Sequence, residues 1–228
     1  MNISIIFAMD SELEAFLTLF DSVKTSHIGN HKLYTVSEKG HRVTMIKSGI
    51  GKVHAAHITT LYLSHERPDL LINIGVAGGV NASVGDIVVA KNVMYHDVDV
   101  RAFDYEYGQI PEAPVRFEGD KEAYDLATDT LDKLGFPYKK GRIVSGDVFL
   151  NNVGQINPAL DMSDVYAVDM EAAAIAHVAY LENVPFITLR SISDTLDSET
   201  QMDEYDDHMA LSATKVAKAL KAIIAKVV

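Results

Sequence analysis

The stretch Val165-Tyr-Ala-Val-Asp-Met-Glu-Ala-Ala-Ala-Ile-Ala-His-Val-Ala-Tyr-Leu-Glu-Asn-Val-Pro-Phe-Ile-Thr-Leu-Arg-Ser-Ile-Ser-Asp194 decides how this chain is read. Val165–Val168 is short and apolar, as a buried strand is. Ala172–Leu181 is built from strong helix formers, and Asn183 and Pro185 end it. Phe186–Leu189 is a second buried strand, with Arg190–Asp194 at its exit. Strand, helix, strand predicts a right-handed parallel crossover and so an α/β architecture. Ligands of open α/β sheets bind beyond the carboxyl ends of the strands, where Glu171 and Asp194 fall. Two acids at neighbouring strand ends can divide acid, base and hydrogen-bonding duties between them.

Outward from this unit the pattern continues. Ile3–Met9 reads as a buried strand and Asp10–Phe16 as the start of a helix. Ser11 is the expected N-cap, with Glu14 at capping-box spacing. Asp10, Glu12 and Glu14 are thereby accounted for as complements of the helix dipole. Glu12 alone stands in the first turn after a strand exit, where a side chain can turn back to the ligand face. Lys32–Glu38 and Arg42–Lys47 form a hairpin pattern. Ser48–Gly51 is a tight turn into a helix over Val53–Glu66. A phosphate loop is excluded there, because Ile46 and Val53 stand where that motif needs Gly and Ser or Thr.

Asp69–Ile74 and Val84–Ala90 read as strands. Gly75–Gly79 between them suits either close approach to a flat ligand or a turn needing positive φ. No G-x-G-x-x-G follows a strand, so a nicotinamide cofactor is unsupported. Met94–Pro111 is an aromatic, polar loop of the kind found at interfaces and pocket rims. Lys121–Leu134 is an amphipathic helix ended by Gly135, and Lys140–Ser145 is a strand with Gly146–Leu150 as its exit loop. Leu196–His208, acidic and irregular, suits a lid, and Met209–Val228 a C-terminal helix. His54 and His57 lack a third ligand in reach. Structural hydrogen bonding accounts for His96, Asp97 and Asp99. No metal is expected.

Composition bounds the rest. The 228 residues, 48% hydrophobic and without a linker-like shift, fit one domain over residues 1–228. A net charge of -12 makes a poor nucleic-acid or membrane binder. The absence of cysteine rules out disulfide and thiolate chemistry and suits a cytoplasmic protein. Met1–Asp10 has no basic n-region, and no apolar run approaches a membrane span. The expected fold is a mixed, mostly parallel central sheet flanked by helices.

Ala8-Met-Asp-Ser-Glu12, Lys47-Ser-Gly-Ile-Gly-Lys52, Asn73-Ile-Gly-Val-Ala-Gly-Gly79, Tyr95-His-Asp97, Tyr105-Glu-Tyr-Gly-Gln109, Val144-Ser-Gly-Asp-Val-Phe149, Val168-Asp-Met-Glu-Ala172 and Arg190-Ser-Ile-Ser-Asp194 occur in that order. In this the chain resembles the bacterial 5′-methylthioadenosine/S-adenosylhomocysteine nucleosidases of the nucleoside phosphorylase superfamily, over nearly its whole length. The resemblance implies hydrolysis of an N-glycosidic bond without metal or organic cofactor, on a small adenine nucleoside, by a homodimer. It makes Glu12 the base that activates water and Asp194 the acid that protonates adenine N7. Glu171 would hold the ribose hydroxyls, with Met170 against the sugar. Phe149 would stack on the base, and the Leu150 backbone and Gly78 would contact the ligand. Met9, Ile50 and Met202 would line the alkylthio pocket, while Phe103 and Pro111 would reach into a neighbouring subunit. Arg190 is read as orienting Asp194, and Ser193 and Arg190 are counted with the substrate-binding residues.

The chain also departs from the family pattern. Val76 replaces a usual Ser or Thr, Asp169 a Glu, Leu150 an Ile and Met202 a Phe, and the lid is shorter. The first rival reading is a purine nucleoside phosphorylase, which needs a cationic phosphate site. A related nucleosidase, such as futalosine hydrolase, is closer. A non-catalytic nucleoside-binding protein is the third.

Overall fold

Strands and helices alternate along the chain because apolar runs of five to ten residues alternate with amphipathic or alanine-rich ones. The computed structural model describes residues 1–227. The strands are β1 (Asn2–Phe7), β2 (Lys24–Ile28), β3 (His31–Glu38), β4 (His41–Lys47), β5 (Leu70–Gly79), β6 (Ile87–Tyr95), β7 (Phe117–Glu118), β8 (Tyr138–Ser145), β9 (Val165–Asp169) and β10 (Phe186–Thr195). The helices are α1 (Asp10–Leu17), α2 (Lys52–His65), α3 (Lys121–Leu134), α4 (Ala172–Leu181) and α5 (Gln201–Ile224).

The sheet is two parallel blocks running in opposite directions. In one, β4, β1, β5 and β10 pair in parallel. In the other, β6, β8 and β9 do. Antiparallel seams join them, β10 to β6 and β5 to β9, and close those five strands into a ring. The β2–β3–β4 meander extends the first block. This corrects the parallel crossover expected of β9–α4–β10. The two strands do not pair with each other; they belong to opposite blocks, and α4 crosses between them. Strand–helix–strand alternation constrains which residues are buried but not which block the second strand joins.

Helices cover both faces. Ala55 and Ile58 of α2 pack with the alanines of α4 on one side. Phe16, Ala127, Leu131, Val216 and Leu220 from α1, α3 and α5 pack on the other. Alanine in α4 lets the helix axis lie close to the sheet, which seats its N-terminus, and Glu171, at the seam. None of the described helices is long and apolar enough to cross a membrane.

Other boundaries move. The strand expected at Val84–Ala90 begins three residues later and runs on to Tyr95, and β5 passes straight through the glycine run. Gly75, Gly78 and Gly79 do not have positive φ; what they provide is room. A Cβ on Gly75 would lie 2.3 Å from Glu12 Oε1, and one on Gly79 2.5 Å from Ala82 O. The cap of α1 is Met9 rather than Ser11. The acidic segment read as irregular is, from Gln201 on, the first two turns of α5. Asp203 and Glu204 complement that helix N-terminus. Glu204 accepts from Thr195 N, Thr195 Oγ1 and the Ser198 hydroxyl, whose bond leads in holding its carboxyl below the usual range.

Candidate active site

A cavity of about 120 Å³ opens where β1, β5, β9 and β10 converge at the seam. Glu12 enters it from the third position of α1. Its Oε2 accepts from the backbone N–H of Ala8 and of Met9, both at 3.0 Å, and its Oε1 from Val76 N–H at 2.9 Å. The bond to Met9 caps the helix start, so the local fold of α1 and the aim of Glu12 are one feature. A carboxylate offers about four acceptor directions; three are filled by backbone, and one remains. Burial raises the Glu12 pKa, against the pull of Arg190 and of those N–H groups.

Glu171 faces it from the start of α4. Its Oε1 accepts from Gly51 N–H at 2.8 Å, at the N-terminus of α2, where φ of +96° requires glycine. Its Oε2 lies 3.9 Å from Arg190. Burial first, and then Asp169, push its pKa up to about 7.

Arg190 lies beneath both acids and is fully buried. Nη2 donates to Asn73 Oδ1 at 2.7 Å, and Nε to Asp169 Oδ2 at 3.0 Å; Nη2 also pairs with Asp169. Burial opposes its charge, but Asp169, Glu171 and Glu12 outweigh it and raise its pKa. Asp169 in turn accepts from Ala172 N–H at 3.0 Å and from the Ser145 hydroxyl. Arg190 therefore does not orient Asp194, as the sequence suggested. A bulge in β10 between Ile192 and Asp194 breaks the alternation that would align the two. Asp194 is instead held by Ser193, whose hydroxyl donates to Oδ1 at 2.6 Å, and by Gln201 Nε2, which donates to Oδ2 at 2.6 Å.

The structure brings most of the predicted residues to this cavity. Met9, Glu12, Ile50, Val76 and Gly78 line one side, and Phe149, Leu150, Met170, Glu171, Ser193 and Asp194 the other. Gly78 is small because a Cβ there would meet Leu196 at 2.9 Å, Val168 at 3.1 Å and Asp194 Oδ2 at 3.4 Å. Met202, 59% exposed, lies instead on a shallower groove beyond Phe149. Phe103, 75% exposed, and Pro111 stand clear of the cavity.

Two site residues were missed. Tyr205 lines the cavity, its ring edge-on to Phe149 with centroids 6.0 Å apart and its hydroxyl 3.7 Å from Met9 Sδ. Gln201 was missed with it, because both belong to the turns of α5 that the acidic composition disguised. Asp169 was noted as a departure from a pattern, but its pairing with Arg190 was not foreseen. Burial, and then Glu12 and Asp194, raise the Tyr205 pKa and keep its hydroxyl protonated.

The arrangement can protonate a leaving group from the Asp194 side, stabilise cationic charge with Glu171, and activate a small nucleophile at the free sector of Glu12. Comparison with known proteins gives the family. A family model described as Phosphorylase superfamily matches residues 2–225. A 5′-methylthioadenosine/S-adenosylhomocysteine nucleosidase from Neisseria meningitidis, solved with methylthio-immucillin-A, is 33% identical over 99% of each chain, with a TM-score of 0.92. One from S. pneumoniae, solved with a transition-state inhibitor, is 33% identical over 99% of each chain, with a TM-score of 0.91. A futalosine hydrolase of Helicobacter pylori is 30% identical over 99% of this chain and 98% of its own, with a TM-score of 0.92. Fold, site and sequence thus agree that this chain belongs to the phosphorylase superfamily, as an enzyme of its nucleosidase and phosphorylase kind.

Proposed function

We propose that the protein hydrolyses the N-glycosidic bond of 5′-methylthioadenosine and S-adenosylhomocysteine, releasing adenine and the S-substituted ribose. The observation that carries this over phosphorolysis is the charge of the cavity. Glu12, Asp169, Glu171 and Asp194 line it, and no Lys, Arg or His does among the described residues. The buried Arg190 gives Nε and Nη2 to Asp169 and Asn73, leaves Nη1 without a partner, and does not line the cavity. A phosphate dianion would enter against carboxylates, at about 1 kcal/mol per unit-charge pair at 4 Å in water and about 4 kcal/mol at an effective dielectric near 20. Water meets no such penalty.

In this reading the base lies against Phe149 and Tyr205, and Asp194 donates a proton to its N7 as the C–N bond breaks. Positive charge developing on the ribose is answered by ionised Glu171, which also accepts from the sugar hydroxyls. Glu12 takes a proton from the attacking water on the opposite face, as in inverting glycoside hydrolysis. Each acid or base contributes about 10²–10⁴-fold. Met9 and Ile50 receive the alkylthio group, and Phe103 and Pro111 complete the pocket of a partner in a homodimer.

A second reading, futalosine hydrolysis, is favoured by the similarity to the Helicobacter pylori enzyme. The test is to present 5′-methylthioadenosine, S-adenosylhomocysteine and futalosine at equal concentration and measure the base released. Preferential adenine release from the first two is the expected result. Release from futalosine alone would move the assignment to the second reading.

A further inference from the structure

Gln201 opens α5, is 4% exposed, and bonds to the two acceptors at the base end of the cavity. Its Nε2 donates to Asp194 Oδ2 at 2.6 Å and to Leu150 O at 3.0 Å. Both hydrogens of one planar NH₂ group are thus spent on a carboxylate and a carbonyl. Its Oε1, equally buried, has no partner. The reverse orientation would press Oε1 against two acceptors, so the amide is held by its nitrogen, although an orphan buried oxygen costs free energy.

A planar NH₂ between a carboxylate and a backbone carbonyl is also what the exocyclic amine of a 6-aminopurine presents. Gln201 has somewhere else to go. It also lines the shallow groove on the far side, with Asn151, Asn152 and Met202. A turn of its side chain into that groove would give the amide other polar partners, while the bonds of Glu204 to Thr195 and Ser198 keep the helix start in place. We infer that the Gln201 carboxamide is an internal stand-in for the amino group of the base, and that a 6-aminopurine binds by displacing it. Gln201 is then a specificity-determining residue. It competes with the amino group and lowers the advantage of adenine over purines without one. The inference rests on the proposed seating of the base beside Leu150 and Asp194.

The test is calorimetric binding of adenine and of unsubstituted purine to the wild type, Gln201→Ala and Gln201→Ser. Removing the competitor should tighten adenine binding about tenfold, the effect of losing one to two competing hydrogen bonds, and move purine binding less than twofold. The purine-to-adenine Kd ratio therefore rises. The Ser variant carries the same expectation should the Ala variant not fold, as its melting curve would reveal. An unchanged ratio, or adenine binding weakened in both variants, would overturn the inference by making Gln201 a support of the site. Wild type and variants that bind neither base would instead refute the seating of the base itself, and the inference with it.

Discussion

The floor of the cavity and its base-facing wall are built on opposite principles. The floor, with Glu12, Asp169, Glu171 and Arg190, is buried, and its carboxylates are bonded to backbone amides of helix starts and of β5: Met9 N–H, Gly51 N–H, Ala172 N–H and Val76 N–H. The wall is formed by Phe149, 48% exposed, with Leu150, Asp194 and Tyr205, and Gln201 bonded behind them, on the β8 exit loop, the end of β10 and the first turns of α5. The floor places three carboxylates against one guanidinium, an arrangement tolerable only while every partner is present. The wall relies on a few replaceable contacts. The difference teaches where stability and activity separate. Changes in the floor should cost folding and chemistry together, whereas changes in the wall should alter binding and rate in a folded protein.

The largest effect should come from the floor. Arg190→Met removes the partner cation of Asp169 and Glu171 and leaves both buried without it, a loss of roughly 3–5 kcal/mol. Thermal or urea unfolding measures it. A variant as stable as wild type would mean that the floor is not held by this pair. Asp194→Asn tests the other side of the contrast. Turnover should fall at least about 10²-fold, with the melting temperature nearly unchanged, since Asn fills the same space. Rates near wild type would remove Asp194 from the acid role.

Glu171 gives a pH signature. Its pKa, raised to about 7 by burial and then Asp169, leaves it protonated on the acid side, where it cannot stabilise the sugar cation. The kcat/KM of wild type should therefore fall as pH drops through about 7. Stability runs the other way, because the folded state binds the proton more tightly than the unfolded chain. Between the ordinary carboxylate range and about 7, rising pH costs stability, and Glu171→Gln should lose that dependence. A pH-rate profile identical in wild type and Glu171→Gln would contradict this. The smallest effect is expected at the exposed loop. Phe103→Ala should weaken substrates bearing an alkylthio tail by about 1–3 kcal/mol without changing the fold. A fully active monomer by sedimentation would remove the shared pocket.

The contrast also separates what the sequence makes legible from what it hides. The bounds of α2, α3 and α4 follow from helix formers, from Asp120 capping Ala123 N–H, and from Gly135 in the left-handed region. Glu12 and Glu171 were visible because each follows an apolar strand, and Asp194 because it stands after the apolar run Phe186–Leu189, although β10 continues through it to Thr195. Less was visible where polar residues carry structure. β2 is exposed except at Ile28 and has no apolar alternation to betray it. The first turns of α5 hide in an acidic run whose charges serve the helix end. Nothing in Arg190-Ser-Ile-Ser-Asp194 reveals a bulge, so the partner of Arg190 was misread. The glycines of β5 look like punctuation, though Gly75 lets Glu12 and Arg190 lie against a continuous strand. A Cβ on Gly75 would also meet Arg190 Nη1 at 2.7 Å.

The proposed role of Glu12, activating water in a cavity whose charge disfavours phosphate, can be tested directly. The direct measurement is the rate of adenine release from 5′-methylthioadenosine in phosphate-free buffer and across a phosphate titration, with the sugar product identified. The full rate without phosphate, free 5-methylthioribose as product, and loss of most of that rate in Glu12→Gln are expected. A rate that rises in proportion to phosphate, with a sugar 1-phosphate recovered, would contradict it.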